Sequence, residues 1–310
     1  MKQQIVEVNA LADKPLSESL LTASEPWVAR GFTDGWPLAA AAKQGPQSAL
    51  NYLENFYDGL SVKAIVAESQ HMGRFFYNKD MSGFNFYTVE TTLKRLFSQL
   101  IKYERVPSAP SIYLGSIDVS RLLPGFSAEN AFATELCSPT TSLWIGNQSR
   151  VAAHFDAPRN IACCVAGKRR FTLLPPEQAK NLYIGPWDLT PAGQPISLVD
   201  FKNPDYSAFP RFKEAERNMW TVDLEAGDAL YIPSLWWHQV EGLSAINGLI
   251  NFWWHESDIG EISIVNTLKS TSQIMQALPA DQRLAMRALF DTYAFAEDAS
   301  PAQVVGERSI

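Results

Sequence analysis

Cysteine is scarce in this chain: only Cys137, Cys163 and Cys164 occur in 310 residues. An odd count, two of them adjacent and none in a CxxC pair, excludes a disulfide framework and a thiolate zinc site. Cys163 and Cys164 lie in Ile161-Ala-Cys-Cys-Val-Ala166 and read as small buried strand residues. A reducing, cytoplasmic setting is the expectation. Basic charge is also in short supply, with 26 Lys and Arg against 33 Asp and Glu and a net charge of −7. Nucleic-acid partners usually leave a basic footprint, so none is expected. The one basic run, Lys168-Arg169-Arg170, is short. No apolar stretch approaches the ~18 residues of a membrane span. Met1 to Ala10 has polar and charged residues where a secretory signal would carry its apolar core. No membrane partner is expected either. Histidine is rare too, at four residues, and that makes the positions of the four informative.

What is present is a large apolar fraction, 46%, enough for a sizeable core. Three regions follow from the pattern along the chain. Residues 1–110 read as a helical or mixed region packed on the core. Helices are expected at Leu16–Leu21, Pro46–Tyr57 and Thr88–Tyr103, where apolar residues recur at helical spacing. Short strands are expected at Glu25–Gly31 and Val62–Glu68. Residues 111–258 are short β-like runs separated by Gly, Pro and Asp: 112–114, 142–145, 152–155, 161–166, 170–174, 220–224, 229–232, 237–240 and 249–254. Many short punctuated strands predict a sandwich or barrel. The stretch 186–212 reads as a long ordered insert. Residues 259–310 are helical again. One helix carries Ile262, Val265, Leu268, Met275 and Leu278; a second starts at Asp281 and carries Leu284, Met286, Leu289, Phe290 and Tyr293. The fold class is thus mainly β with flanking helices.

Two of the four histidines sit in β-like, aromatic-rich segments. His154-Phe-Asp156 places an imidazole and a carboxylate at i and i+2, on one face of one strand. Phe155 points the other way, into packing. His238, in Tyr231-Ile-Pro-Ser-Leu-Trp-Trp-His238, supplies an imidazole from another strand. Two imidazoles and a carboxylate form a facial iron(II) site that leaves other metal positions open. A bare H-x-D recurs by chance; the company of His238 makes this one a candidate metal site. His71 and His255 read as residues outside it, and Arg159 and Lys168 as solvent-facing. Of Trp236 and Trp237, and of Trp253 and Trp254, one of each pair should face the cavity.

The chain from about Ile112 to Trp254 resembles the JmjC-like, cupin-fold (cupin-8) 2-oxoglutarate oxygenases. Within them it is most similar to the branch that holds the asparaginyl hydroxylase inhibiting hypoxia-inducible factor. The matching stretches are Ser111-Ile-Tyr-Leu, Leu143-Trp-Ile-Gly, His154-Phe-Asp-Ala-Pro-Arg-Asn160, Gly167-Lys-Arg-Arg-Phe-Thr-Leu-Leu-Pro-Pro176, Asp200-Phe-Lys-Asn-Pro-Asp-Tyr206, Gly227-Asp-Ala-Leu-Tyr-Ile-Pro233, Trp236-Trp-His238 and Asn251-Phe-Trp-Trp254. The resemblance implies a double-stranded β-helix (jelly-roll) core with helices at both ends. It implies His154, Asp156 and His238 as ligands of Fe(II), and 2-oxoglutarate chelating that iron. It implies a Tyr and a Lys for the far carboxylate; the Tyr position is Tyr113, but the Lys position holds Arg169. An Arg can clamp a carboxylate bidentately where Lys is a point charge. A Thr common three residues before the first His is Val151 here. Asn160 and Asn251 match positions that help hold co-substrate and iron-site waters, and Trp253 a position in the substrate pocket. The C-terminal helical pair resembles a unit that pairs across a twofold axis, which implies a homodimer.

The activity so implied is hydroxylation, or demethylation through a hydroxylated product, of a polypeptide side chain or a small amino-acid-like substrate. Asp156 occupies the position a halide would need, so halogenation is disfavoured. Two alternatives stay open. The triad alone permits a non-oxygenase metal cupin, since ligand type constrains the metal only loosely. The departures at Arg169 and Val151 permit a cupin-fold binding protein without turnover.

Overall fold

The computed structural model describes residues 4–134, 139–255 and 261–296. Cys137, Ser257 and the last ten residues lie outside the described residues. Two compact units are present, Met1–Glu261 and Ile262–Ile310. The strands of the first are β1 (Val6–Glu7), β2 (Trp27–Ala29), β3 (Ser61–Ala67), β4 (Arg74–Phe75), β5 (Phe86–Thr92), β6 (Ser111–Asp118), β7 (Thr140–Gly146), β8 (Arg150–Phe155), β9 (Arg159–Ala166), β10 (Lys168–Leu174), β11 (Trp220–Glu225), β12 (Ala229–Ile232), β13 (Trp237–Gly242) and β14 (Asn247–Trp254).

They form a nine-stranded sheet, β1-β2-β12-β9-β14-β7-β6-β3-β5, and a five-stranded sheet, β11-β10-β13-β8-β4. Four strands of each, β12-β9-β14-β7 against β11-β10-β13-β8, make a jelly roll. Its interior joins Ala162, Cys164, Leu230 and Leu249 of the larger sheet to Phe171, Leu173, Val222 and Val240 of the smaller. The larger sheet is buried on its other face as well. There Ile161, Cys163 and Val165 share a core with Leu50, Leu53, Leu96 and Leu100 of two N-terminal helices, Pro46–Glu54 and Leu93–Tyr103. Burial on both faces explains why Ile161–Ala166 is apolar without alternation.

The N-terminal region holds more sheet than its periodicity predicts. Residues 88–92, expected at the start of a helix, belong to β5 and pair with β3. Their β-branched side chains, Thr88, Val89, Thr91 and Thr92, fit a pleated strand better than a helix. The helix begins only at Leu93, where the Thr92 hydroxyl accepts from the Arg95 N–H (3.3 Å). Through β6, β3 and β5 the N-terminal region extends the nine-stranded sheet beyond the jelly roll.

Two local features aim side chains inward. At Gly167 the chain turns from β9 into β10 with φ +71°, and an added Cβ would lie 2.2 Å from the Ile246 carbonyl oxygen. Between β8 and β13 the register slips: His238 pairs with His154 and Val240 with Val151, so Ala152 and Ala153 together oppose Gln239. The bulge puts Val151 and His154 on one face at a spacing of three.

The second unit contains the helices Glu261–Ala277 and Ala280–Tyr293. The side chain of Ile262 lies outside the described residues. Leu278 falls after the first helix rather than in it, next to Pro279, which cannot continue a helix. Leu284, Leu289 and Tyr293 are exposed. No helix among the described residues is long and apolar enough to cross a membrane.

Candidate metal centre

His154, Asp156 and His238 converge. One ligand atom from each lies within 4.8 Å of the others. His154 and Asp156 come from β8 and the residue after it; His238 stands directly opposite His154 on β13. The imidazole centroids are 4.4 Å apart, and His238 Nε2 stands 3.5 Å from Asp156 Oδ2. A short turn braces the two ligand strands. Leu235, at φ 65°, donates its N–H to the Asp156 carbonyl (2.8 Å), and the Ser234 hydroxyl donates to the Ala157 carbonyl. A branched side chain in left-handed backbone is strained, and such strain concentrates at functional sites.

Both rings are oriented for ligation. His154 Nδ1 lies 2.9 Å from the Ala152 carbonyl oxygen, and His238 Nδ1 lies 3.0 Å from that of Trp236. A carbonyl only accepts, so each Nδ1 carries the proton and each Nε2 lone pair is left for a metal. Burial, with His238 adding to it, pushes the His154 pKa down to about 4, which keeps the ring neutral as a ligand must be. Burial raises the Asp156 carboxyl, but the two adjacent histidines outweigh it, and the group ends below its ordinary value as a carboxylate. Two imidazoles with Nε2 free and a carboxylate on one side of an open space suit a divalent transition metal, iron(II) included.

That space is a cavity of about 370 Å³ lined by His154 and Asp156. Its walls are mainly aromatic and aliphatic: Phe75, Phe86, Tyr113, Trp144, Val151 and Trp253. The insert closes one side with Pro191, Ala192, Gln194 and Ile196. Ser197 ties the insert to β8 by donating its N–H to the Ala153 carbonyl (2.7 Å).

Arg169 is 1% exposed. It shares its face of β10 with Phe171 and Leu173 in the jelly-roll interior, while Arg170 points outward and pairs with Asp223 (2.7 and 3.0 Å). The Arg169 guanidinium crosses from the five-stranded sheet to the nine-stranded one, where Nη2 donates to the Trp144 carbonyl at 3.5 Å. Its Nε has no partner among the described residues. Beside it is the Tyr113 phenol, pushed up by burial and drawn partly back by the Arg169 charge. With no carboxylate beside it among the described residues, a guanidinium so buried is costly unless an anion offsets it.

The other expected residues fall less uniformly. Trp253 lines the cavity, and Trp254 packs outside it near Phe132 and Tyr231. Neither Trp236 nor Trp237 lines it. Trp236 meets Trp220 and Trp237 meets Phe155, because both belong to packing clusters around the turn that presents His238. Asn160 and Asn251 are buried behind the wall. Asn251 Nδ2 donates to Asn160 Oδ1 (2.7 Å), and Asn251 Oδ1 has no partner. Arg159 is not solvent-facing: it bonds the Ala23 carbonyl and the Tyr231 hydroxyl, because the N-terminal chain covers that end of β9. Sequence reasoning missed Trp144, Phe75 and Phe86. The alternation Phe84-Asn-Phe86 was the available signal, but it is short and runs directly into residues 88–92, expected at the start of a helix.

The cupin-like domain family model matches residues 14–259. The chain belongs to the cupin-like domain family. Among curated members, it is 31% identical over 117 residues to lysine-specific demethylase JMJ31 of Arabidopsis thaliana, covering 37% of this chain and 21% of that protein. It is 29% identical over 174 residues to tRNA wybutosine-synthesizing protein 5 of Danio rerio, covering 51% and 48%. It is 36% identical over 117 residues to HSPB1-associated protein 1 of Mus musculus, covering 36% and 23%. The chain thus spans about half or less of these relatives' lengths. The family model and the geometry agree on a cupin-like fold, and the geometry adds the His-Asp-His cluster.

Proposed function

We propose that this chain is an iron(II)- and 2-oxoglutarate-dependent oxygenase that hydroxylates, or demethylates by hydroxylation, a C–H bond of a polypeptide side chain or a small amino-acid-like substrate. The observation that carries the reading is a two-His, one-Asp cluster at a cavity and, against two of that cavity's wall residues, Trp144 and Tyr113, a buried guanidinium with no carboxylate partner among the described residues. The residues divide the work. His154, Asp156 and His238 would hold the metal on one side, leaving the cavity side open. Arg169, with Tyr113 as a second donor, would receive the far carboxylate of 2-oxoglutarate. Arg suits this because its fork can donate two parallel bonds to one carboxylate. The aromatic wall and the insert exclude water around the reacting centre. Bound iron(II) and 2-oxoglutarate would supply the oxidising chemistry with dioxygen as co-substrate: one oxygen atom goes to succinate as carbon dioxide leaves, and the other into the C–H bond.

The relatives' printed names include a demethylase and a tRNA-modifying protein, which supports an enzyme and leaves its substrate to experiment. The proposed setting is a reducing compartment, because Cys163 and Cys164 are buried free thiols and burial pushes the Cys164 thiol up to about 12. A homodimer through the second unit is part of the proposal. The test is succinate formation by protein supplied with iron(II), 2-oxoglutarate and pools of peptides or small metabolites. Iron-dependent succinate above the substrate-free rate is expected. Tight binding of another divalent metal, with no 2-oxoglutarate binding, would replace this reading with that of a non-oxygenase metal cupin.

A further inference from the structure

Trp144 occupies a seat made by its neighbours. On β6 the register shifts between Leu114 and Ile117, so Gly115 and Ser116 together oppose Trp144 on the adjoining β7. The bulged residues are Gly115 and Ser116, the second at φ 51°, and both line the cavity. The indole fills the space that a side chain at 115 would take. A Cβ on Gly115 would lie 2.8 Å from Trp144 Cζ3 and 2.9 Å from Cε3. A bulge with strained backbone beside a site is a feature that aims a side chain.

The position aimed at is specific. The backbone of Trp144 is at the Arg169 end, since its carbonyl accepts from that guanidinium. Its ring stands 6.0 Å from that of Tyr113 and meets Trp253 edge-on at 5.7 Å. Trp253 shares the cavity wall with His154 and Asp156. Trp144 therefore runs along the wall from the anion end toward the metal end. Val151 and Trp144 both pack against the jelly-roll interior and against Phe75 and Tyr113. A rigid indole there limits how long and how wide a chain can lie between the two ends.

We propose that Trp144, seated on the Gly115–Ser116 bulge, is a specificity residue that restricts the dicarboxylate lying between Arg169 and the metal to the five-carbon 2-oxo acid. The inference rests on the function proposed above and adds the residue that measures the co-substrate. One methylene too many in a closely packed apolar site is worth about 10–200-fold in discrimination. Wild type should thus bind 2-oxoglutarate over 2-oxoadipate by a factor in that range. Trp144→Leu removes the ring and should lower the preference by about tenfold or more. Gly115→Ala pushes the ring into the cavity and should weaken 2-oxoglutarate binding; in the Trp144→Leu background the same change should have little effect.

The experiment is anaerobic calorimetric titration of oxaloacetate, 2-oxoglutarate and 2-oxoadipate into iron(II)-loaded full-length protein. Wild type, Trp144→Leu, Gly115→Ala and the double variant are compared, with circular dichroism checking the fold of each. A preference that Trp144→Leu relaxes, together with a Gly115→Ala effect that vanishes in the double variant, is the expected result. Selective 2-oxoglutarate binding with the same preference in Trp144→Leu would overturn the role of Trp144 and leave the proposed function standing. Failure of wild type to bind any of the three acids would overturn both. If Trp144→Leu does not fold, an equal preference for 2-oxoglutarate and 2-oxoadipate in wild type is enough to reject the proposal.

Discussion

His154 and His238 occupy directly opposed positions on one rung of the β8–β13 ladder, and each is turned by a hydrogen bond from Nδ1 to the carbonyl two residues before it. The pair is thus set before any metal arrives. Asp156 completes the cluster from the end of the same strand as His154. Removing one of three ligands should cost most of the metal affinity. Full-length protein is expected to bind one iron(II) per chain, and Asp156→Ala to lose it, as measured by metal analysis after gel filtration. Retention of iron by that variant would mean that other residues hold the metal.

Arg169 and Arg170 are adjacent in sequence and opposite in role. Arg169→Ala should weaken 2-oxoglutarate binding by about 2–5 kcal/mol, as truncating one partner of a desolvated charge pair does. Arg170→Ala removes an exposed pair with Asp223 and should leave binding unchanged. Calorimetric titration of 2-oxoglutarate separates the two. Equal binding by wild type and Arg169→Ala would place the carboxylate elsewhere.

The same guanidinium should burden the ligand-free fold, because no carboxylate offsets its burial. Arg169→Met fills a similar volume without the charge. It is expected to raise the melting temperature of the ligand-free protein while abolishing 2-oxoglutarate binding. A lower melting temperature would show that the Trp144 carbonyl and the Tyr113 phenol already satisfy the charge.

Asp200 anchors the insert that closes the cavity. It accepts from Arg150 (3.0 Å) and lies 3.8 Å from Arg74, on β8 and β4. Asp200→Ala leaves two half-buried guanidiniums side by side. A loss of about 1–3 kcal/mol in urea denaturation is expected, between the values for exposed and buried pairs. A change within measurement error would mean that the insert is held by its apolar contacts alone.

The C-terminal unit offers Leu284, Leu289 and Tyr293 on an exposed helix. Exposed apolar side chains on a terminal helix suit burial against a second copy across a twofold axis. Full-length protein is expected to sediment as a dimer at micromolar concentration. Chains cut after Ser257, or carrying Leu284→Asp and Leu289→Asp, should sediment as monomers. A monomeric full-length chain would count against the pairing.

Much of this was legible in the sequence, for local reasons. Strand periodicity and turn residues pointed to a sandwich or barrel, because side-chain direction along a strand follows from covalent geometry, and the family resemblance made it a jelly roll. His154 and Asp156 could be assigned to one face because they are two residues apart on one strand. The opposition of Arg169 and Arg170 followed by the same parity. What only the tertiary structure decided depends on pairing between distant strands. The bulge at Ala152–Ala153, which brings Val151 onto the face of His154, exists only in register with β13. The seat of Trp144 needs the bulge of β6 against β7. Thr88–Thr92 became strand because β3 was there to pair with it, overriding a helical apolar stripe that starts a few residues later. A one-residue slip of register would turn each of these side chains to the other face, and no local run of residues sets that register.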